Sequence, residues 1–293
     1  MTQHNFHKLD MIEQYFPKFI FPNEGNMKKV QLSLKLKAKP WDLQIFSMKN
    51  KRGDEKMAQN EKANTAASQV DAQERLKTAA IGMASNIKLH ATGSGGEKGT
   101  SEVADMEQVE KTIKDWPAMS KKSAEQTIEA YGSPNEVAPS RLTWYYNKPW
   151  KRTVVFRDEI PHDFPQPHSD VIEQFIDYQV PPEKFSEIAK FDGSVIVERT
   201  KGEVSARCDM EAANILALNM MHEIATGNKT AAEARELYTE QTAAYVMNKP
   251  APYAEQFQFE LQTEEKFDTD ETTLQDEAIT QAIKKTKDTL GLD

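Results

Sequence analysis

The chain has 293 residues, of which 38% are hydrophobic and 28% charged, and its formal net charge at neutral pH is −9. No run approaches the 18 or more apolar residues that a membrane-spanning helix needs. The single cysteine, Cys208, excludes an intramolecular disulfide and a zinc site built from several thiolates. Residues 1–57 hold eleven Lys and Arg against six Asp and Glu, whereas the remainder holds twenty-six against forty. An acidic body of this kind argues against a nucleic-acid partner.

Residues 1–57 are predicted to form a basic N-terminal segment with one edge strand. The strand follows from the alternation of Val30, Leu32, Leu34 and Leu36 with polar residues, several of them lysine. The segment has no continuous apolar stretch of the kind that a signal peptide contains, which favours a cytoplasmic protein.

Residues 58–101 are predicted to be a flexible linker with one helix around Val70 to Ile81, because small and polar residues dominate. The globular core follows at residues 102–262. It opens with two amphipathic helices, "EVADMEQVEKTIKDW" and "SKKSAEQTIEAYG", the second capped by Ser120 or Ser123 and ended by Gly132.

Two hairpins are predicted in the core. "LTWYYN" and "RTVVFRD" form the first, and the runs on either side of Lys201-Gly202 form the second. Between them lies the connector "EIPHDFPQPHSD" (159–170). A helix "DVIEQFIDY" follows it, because Asp170 and Glu173 have capping-box spacing.

Helices are predicted to complete the core. They comprise "PPEKFSEIAKFDG" before the second hairpin, and "CDMEAANILALNMMHEIATG" and "TAAEARELYTEQTAAYVM" after it. Residues 263–293 form an acidic tail with a helix near Gln275 to Thr289. Antiparallel hairpins packed with helices place the core in the α+β class.

The connector is the first candidate site, because it holds His162 and His168 in a backbone restricted by three prolines. Two neutral imidazoles can ligate a divalent metal such as zinc or iron, with Asp163, Asp209 or His222 as a third ligand. The alternative is that His168 caps or packs and that the nearby carboxylates are solvated.

The second candidate is Arg207-Cys208-Asp209, where a strand meets a helix N-terminus. There the helix dipole can lower the pKa of the Cys208 thiol, with His168, His162 or His222 as the base. Alternatively, Arg207 and the helix start can bind a carboxylate or phosphate ligand, and Asp209 is a further candidate ligand-binding residue. An inert buried cysteine is the third possibility.

The third candidate is "NKPWKRT", in which Trp150 and Arg152 lie among cations and other aromatic residues. Such a surface can bind a peptide or small ligand. Cross-strand aromatic packing explains the same pattern without any ligand.

Six stretches of the core, distributed within residues 100–250, resemble an uncharacterised bacterial protein family. They are "YGSPNE", "LTWYYNKPWKRTVV", "HDFPQPH", "VPPEKF", "FDGSVIVERTKGE" and "SARCDMEAANILALN". The resemblance implies a domain boundary and no established activity. "YGSPNEVAPSRLTWYY" is also similar to an element of small α+β binding modules of the β-lactamase-inhibitor and outer-membrane assembly lipoprotein types, which implies a binding role.

The chain lacks the motifs GxGxxG, GxxxxGK[ST], GxSxG and CxxC, which argues against nucleotide-dependent and serine-hydrolase activities. The leading hypothesis is therefore a non-enzymatic binding or assembly protein, with a protein partner or self-assembly. The alternative is a metal-dependent or thiol-based enzyme whose site combines His162, His168 and the helix start at Arg207–Asp209.

Overall fold

The computed structural model describes residues 65–262, 266–274 and 276–291. The predicted edge strand at Val30 to Leu36 lies outside these residues. The chain divides into two compact units, residues 1–78 and 79–293. The described part of the first unit is a 3-10 turn at Ala66–Gln69 and the start of helix α1.

Eight α-helices are found among the described residues. They are α1 (Ala72–Thr92), α2 (Met106–Ile113), α3 (Ala118–Tyr131), α4 (Phe185–Phe191), α5 (Glu211–Ala225), α6 (Ala231–Val246), α7 (Pro252–Glu255) and α8 (Glu277–Leu290). A 3-10 turn at Pro182–Lys184 leads into α4. The helix predicted at Val70 to Ile81 is present and continues to Thr92. In the described part of the chain, no helix has the length and apolar character to cross a membrane.

Six strands form one antiparallel sheet in the second unit, which confirms the α+β class. They are β1 (Glu136–Ala138), β2 (Arg141–Tyr145), β3 (Arg152–His162), β4 (His168–Asp177), β5 (Val195–Glu198) and β6 (Glu203–Cys208). Their order in the sheet is β1-β2-β3-β4-β6-β5. Both predicted hairpins are confirmed as β2–β3 and β5–β6.

The helix predicted for "DVIEQFIDY" is wrong, because this segment is the central strand β4. It pairs with β3 on one side and β6 on the other. The four apolar residues of the segment are spaced like the buried face of an amphipathic helix. In the strand, Ile172 and Ile176 instead lie on one face of the sheet, where both are buried. A strand buried on both faces does not alternate cleanly between apolar and polar residues, so its period is hidden.

Helix α3 does not use Ser120 or Ser123 as its N-cap, since it begins at Ala118. The Glu159 carboxylate of β3 instead accepts the backbone N–H groups of Met119 (3.1 Å) and Ser120 (3.3 Å). An acidic side chain at this helix end satisfies donors that have no partner within the helix and complements the dipole. Part of the predicted connector therefore fixes α3 against the sheet.

Helices α2 to α7 pack on one sheet face in two clusters. Residues of α2 and α3 pack with Leu142, Trp144, Val155 and Ile172 of β2 to β4. Residues of α4, α5 and α6 pack with Ile176 and with the β5–β6 hairpin. Helix α5 is the most enclosed, with ten of its residues buried. The site described next lies at the end of this covered face where β3 ends and β4 begins.

Candidate metal centre

The β3–β4 hairpin places the two histidines of the proline-framed segment opposite each other. His162 is the last residue of β3, His168 is the first of β4, and they are partners in the strand register. Their ring centroids are 4.9 Å apart. The spacing of six residues in sequence therefore reflects the hairpin, because the short loop between the two histidines reverses the direction of the chain.

Asp170 joins the two histidines, because residues two apart in a strand lie on the same face. Its Oδ1 atom is 3.2 Å from Nε2 of His168 and 3.4 Å from Nδ1 of His162. One ligand atom from each residue lies within 4.8 Å of the other two. Asp170 is 2% exposed, and within the described residues its Oδ1 has no hydrogen-bond partner of acceptable geometry.

These separations match those of a coordination shell. With zinc–nitrogen and zinc–oxygen distances of about 2.0–2.1 Å, neighbouring ligand atoms of a tetrahedral site lie roughly 3.3 Å apart. Both distances to Asp170 Oδ1 agree with that value. Both imidazoles are therefore spaced from Asp170 as ligands of one ion would be, and the His168 contact is also close enough for an imidazolium–carboxylate ion pair.

The second polar atom of each of these side chains faces a further polar group. Nδ1 of His168 donates to the Gln166 carbonyl oxygen (2.8 Å), which directs Nε2 towards Asp170. The Oδ2 atom of Asp170 accepts a short hydrogen bond from the Ser194 hydroxyl. Nε2 of His162 lies 3.8 Å from Oδ1 of Asp192. Outer partners of this kind orient metal ligands and set their tautomers.

Asp192 and Ser194 reach the site from the connection between α4 and β5. Asp192 follows the end of α4, and its Oδ1 accepts the backbone N–H of Ser194 at 2.8 Å. Both side chains are buried. Burial raises the pKa of the Asp192 carboxyl above its ordinary value, although the Ser194 amide and His162 lower it in part.

The pKa shifts of Asp170 and His168 show that the buried carboxylate needs a positive charge beside it. Burial by itself raises the pKa of Asp170, but His168, Ser194 and His162 more than offset this, so the pKa lies below its ordinary value. Asp170, followed by Cys208, raises the pKa of His168 to about 11. Without a metal the carboxylate thus needs a proton on His168, and a bound metal ion would supply that positive charge instead.

Cys208 lies beside the same imidazole. It is the last residue of β6 and pairs with Ile172 of β4, and its Sγ is 3.3 Å from Nε2 of His168. Burial raises the pKa of its thiol, and His168 lowers it only in part. Helix α5 starts later than the sequence suggested, with Met210 as its N-cap. Cys208 is therefore a thiol near neutral pH, and the expected activation by a helix N-terminus is not found.

Of the remaining residues proposed for these two sites, Asp209 lies beside Cys208, whereas the side chains of Asp163, Arg207 and His222 lie apart from it. Asp163 lies exposed in the hairpin loop and is not part of the three-residue cluster found in the described chain. Asp209 Oδ1 lies 3.5 Å from the Cys208 sulfur. Arg207 precedes Cys208 in β6 and so points to the opposite sheet face. His222 contacts the Tyr178 hydroxyl (2.9 Å) and stacks on Phe259.

The predicted aromatic–basic surface is folded into the molecule. Trp150 is 1% exposed, and its indole N–H donates to Glu211 at 3.0 Å. Arg152 forms ion pairs with Glu97 and Glu203, and its guanidinium lies 3.7 Å from the centroid of the Phe175 ring. These contacts correspond to the packing alternative, so Trp150 and Arg152 do not form an exposed ligand surface.

A small cavity adjoins His168 and Cys208. It has a volume of about 40 Å³, enough for roughly one to three water molecules. Its walls are mostly apolar, and the hydroxyls of Tyr238 and Thr242 also line it. Among the described residues, the Thr242 hydroxyl has no hydrogen-bond partner. The cavity is too narrow for a drug-sized ligand.

Sequence reasoning missed Asp170, Asp192 and Ser194. Asp170 was assigned to helix capping, so its relation to His168 was lost. The signal was the triplet His168-Ser169-Asp170, which places an imidazole and a carboxylate on one face only if the segment is a strand. No local pattern marks Asp192 and Ser194, because the tertiary fold brings them to the hairpin.

Comparison of the chain with protein-family models, curated proteins and solved structures finds no match. The resemblance to an uncharacterised bacterial family and the likeness to small binding modules therefore stay predictions.

Proposed function

We propose that this protein binds one divalent transition-metal ion through His162, His168 and Asp170. The observation that carries the proposal is the position of Asp170 Oδ1. This buried oxygen, without a hydrogen-bond partner in the described chain, lies 3.2 and 3.4 Å from two imidazole nitrogens. Native proteins seldom leave a buried polar atom unsatisfied without a reason.

The donor set favours zinc and its neighbours over calcium and magnesium. Imidazole nitrogens suit zinc, iron, nickel and copper, whereas sites for the two hard cations consist of oxygen ligands. The buried carboxylate supplies one negative charge and thereby offsets part of the cost of desolvating the ion. Zinc is therefore the first ion to test.

A thiol-based enzyme is less well supported, because burial keeps Cys208 protonated near neutral pH. A thiolate is the reactive form in such enzymes. The broader hypothesis of a non-enzymatic binding or assembly protein remains a prediction. Metal binding is compatible with it, since a metal can organise a hairpin end without catalysing a reaction.

The test is a zinc titration of chelator-treated protein in competition with a chromophoric chelator. We expect one zinc ion per chain and a loss of affinity of about 100-fold or more in D170N, since even outer-shell substitutions typically cost 10–100-fold. D163N is the matched control, because it makes the same change at an exposed carboxylate in the adjacent loop.

Equal affinities for the wild-type protein, D170N and D163N would show that zinc binds elsewhere. Failure of the wild-type protein to compete at micromolar zinc would also contradict the proposal. The purified full-length chain is the right material, because histidines outside the centre then contribute equally to all three samples.

A further inference from the structure

Resting on the proposed metal centre, we infer that Cys208 is its fourth ligand. The thiolate would close the site into a four-coordinate centre of two nitrogens, one oxygen and one sulfur. Structural zinc sites have four protein ligands, whereas catalytic sites keep one position for water or substrate. The identity of the fourth ligand therefore decides between the two kinds of zinc site.

The position of the sulfur supports this inference. Sγ of Cys208 is 3.3 Å from the same His168 nitrogen that lies 3.2 Å from Asp170 Oδ1. With zinc–sulfur and zinc–nitrogen distances of about 2.3 and 2.0–2.1 Å, the two ligand atoms lie roughly 3.6 Å apart in a tetrahedron. Two neighbouring strands, β4 and β6, thus bring a sulfur and a carboxylate to one imidazole nitrogen.

Cys208 is not yet as close to the other ligands as they are to one another, since the group with mutual distances within 4.8 Å comprises only His162, His168 and Asp170. Completing the shell requires a small movement of the thiol. The adjoining cavity of about 40 Å³ is not lined by His162 or Asp170, so the sulfur must approach them by rotation of the Cys208 side chain about χ1. The contacts of the sulfur with His168 Nε2 at 3.3 Å and with Asp209 Oδ1 at 3.5 Å are weak hydrogen bonds, because a thiol is a weak donor and acceptor.

Protons must leave the site for this coordination to form. A zinc ion would replace the proton on His168 Nε2, and the Cys208 thiol would release its own proton to solvent as the zinc–sulfur bond forms. No change of oxidation state is involved, so the step needs no further reactant. A thiolate ligand also favours zinc over manganese and magnesium, which prefer oxygen donors.

The competing arrangement is an open site in which a water molecule in the cavity occupies the fourth position. The cavity is large enough for a water molecule and borders His168, one of the three proposed ligands. The two arrangements share three ligands and differ only at the sulfur. A measurement specific to metal–sulfur bonding therefore separates them.

The experiment is cobalt(II) substitution of the full-length protein, followed by absorption spectroscopy. Coordination by Cys208 predicts a thiolate-to-cobalt charge-transfer band in the near ultraviolet, together with the intense visible bands of tetrahedral cobalt. C208S should lose the charge-transfer band and bind cobalt about 10-fold or more weakly, by comparison with outer-shell losses of 10–100-fold.

The possible failures are distinguishable. Cobalt binding that depends on Asp170 but shows no charge-transfer band in the wild-type protein overturns this inference and leaves the proposed metal centre intact. No cobalt binding at all overturns both. Persistence of the band in C208S overturns the inference as well. The wild-type spectrum decides the question by itself, so poor folding of C208S would not prevent an answer.

Discussion

Two carboxylates on the covered face of the sheet, Glu211 and Asp170, show how a structural acid differs from a candidate ligand. Glu211 accepts hydrogen bonds from Trp150 Nε1 (3.0 Å), Gln174 Nε2 (2.7 Å) and the Tyr131 hydroxyl (2.8 and 2.9 Å). None of these three side chains is a usual metal ligand. Both carboxylate oxygens of Glu211 accept hydrogen bonds, so this side chain is satisfied without a metal ion.

Asp170 has only one such donor, the Ser194 hydroxyl. Its other oxygen faces two ring nitrogens that can each bind a proton or a metal. The comparison teaches that burial of a carboxylate does not by itself indicate a site. What distinguishes Asp170 is that the neighbours of its Oδ1 are imidazole nitrogens, which can bind a metal ion in place of a proton. Each prediction below tests this difference.

The largest expected effect is the loss of stability in Glu211→Ala. Its removal leaves three donors without their acceptor, and a single hydrogen bond to a charged group contributes about 1.5–3 kcal/mol. We expect the free energy of unfolding to fall by about 3 kcal/mol in urea denaturation. Glu240→Ala, at an exposed site on α6, is the control. A fall of less than 1 kcal/mol would show that the Glu211 cluster is not the stabilising feature described here.

The next effect is stabilisation by zinc, which should follow Asp170 and not Glu211. A free zinc concentration 100 times the dissociation constant adds about 2.7 kcal/mol to the free energy of unfolding. We expect this gain in the wild-type protein and in Glu211→Ala, and its loss in Asp170→Asn. Thermal unfolding with and without zinc measures it. A full gain in Asp170→Asn would remove the distinction between the two carboxylates.

A smaller effect is expected from Ser194→Ala. This substitution removes the hydroxyl that holds the second oxygen of Asp170, so the carboxylate loses its orientation. Zinc affinity should fall about 10-fold, at the lower end of the range for outer-shell partners. Ser169→Ala is the control, because Ser169 lies between two ligands in sequence but faces the other side of β4. Equal zinc affinities in the two variants would exclude a positioning role for Ser194.

The smallest expected effect is a pH dependence of stability that comes from His222, a histidine that contrasts with His168. Unlike His168, His222 faces a phenol and an aromatic ring, and burial lowers its pKa below 6.5. Since the unfolded chain binds the proton more readily, stability should fall as the pH drops from about 6.5 through the folded pKa of His222. His222→Asn should show a weaker decline in urea denaturation between pH 7 and 5. An unchanged decline would contradict this assignment.

Local patterns were sufficient to predict most helices and both short hairpins. Gly132 lies just past the end of α3, as predicted. The Lys201-Gly202 turn lies between β5 and β6, as predicted. The helix predicted for "CDMEAANILALNMMHEIATG" is present as α5, the most enclosed helix among the described residues. These elements depend on residues close together in sequence, so their signals survive without tertiary information.

Strand β4 could not be predicted in the same way, because tertiary partners satisfy its polar residues. Gln174 donates to Glu211, and Glu173 accepts from the Ser205 hydroxyl at 2.7 Å. These polar residues interrupt the alternation of apolar residues along the strand. The apolar residues that remain have a spacing typical of a helix. The same error concealed the proposed metal centre, since His168 and Asp170 share a face only in a strand. Asp192 and Ser194 became visible only when the fold placed them beside the hairpin.

The most direct test of the metal centre is anomalous diffraction at the zinc absorption edge from crystals of the zinc-loaded protein. The account predicts one strong peak per chain, about 2.0–2.2 Å from Nδ1 of His162, Nε2 of His168 and Oδ1 of Asp170. The absence of a peak there from fully loaded crystals, or a peak that contacts none of these three atoms, would contradict the account.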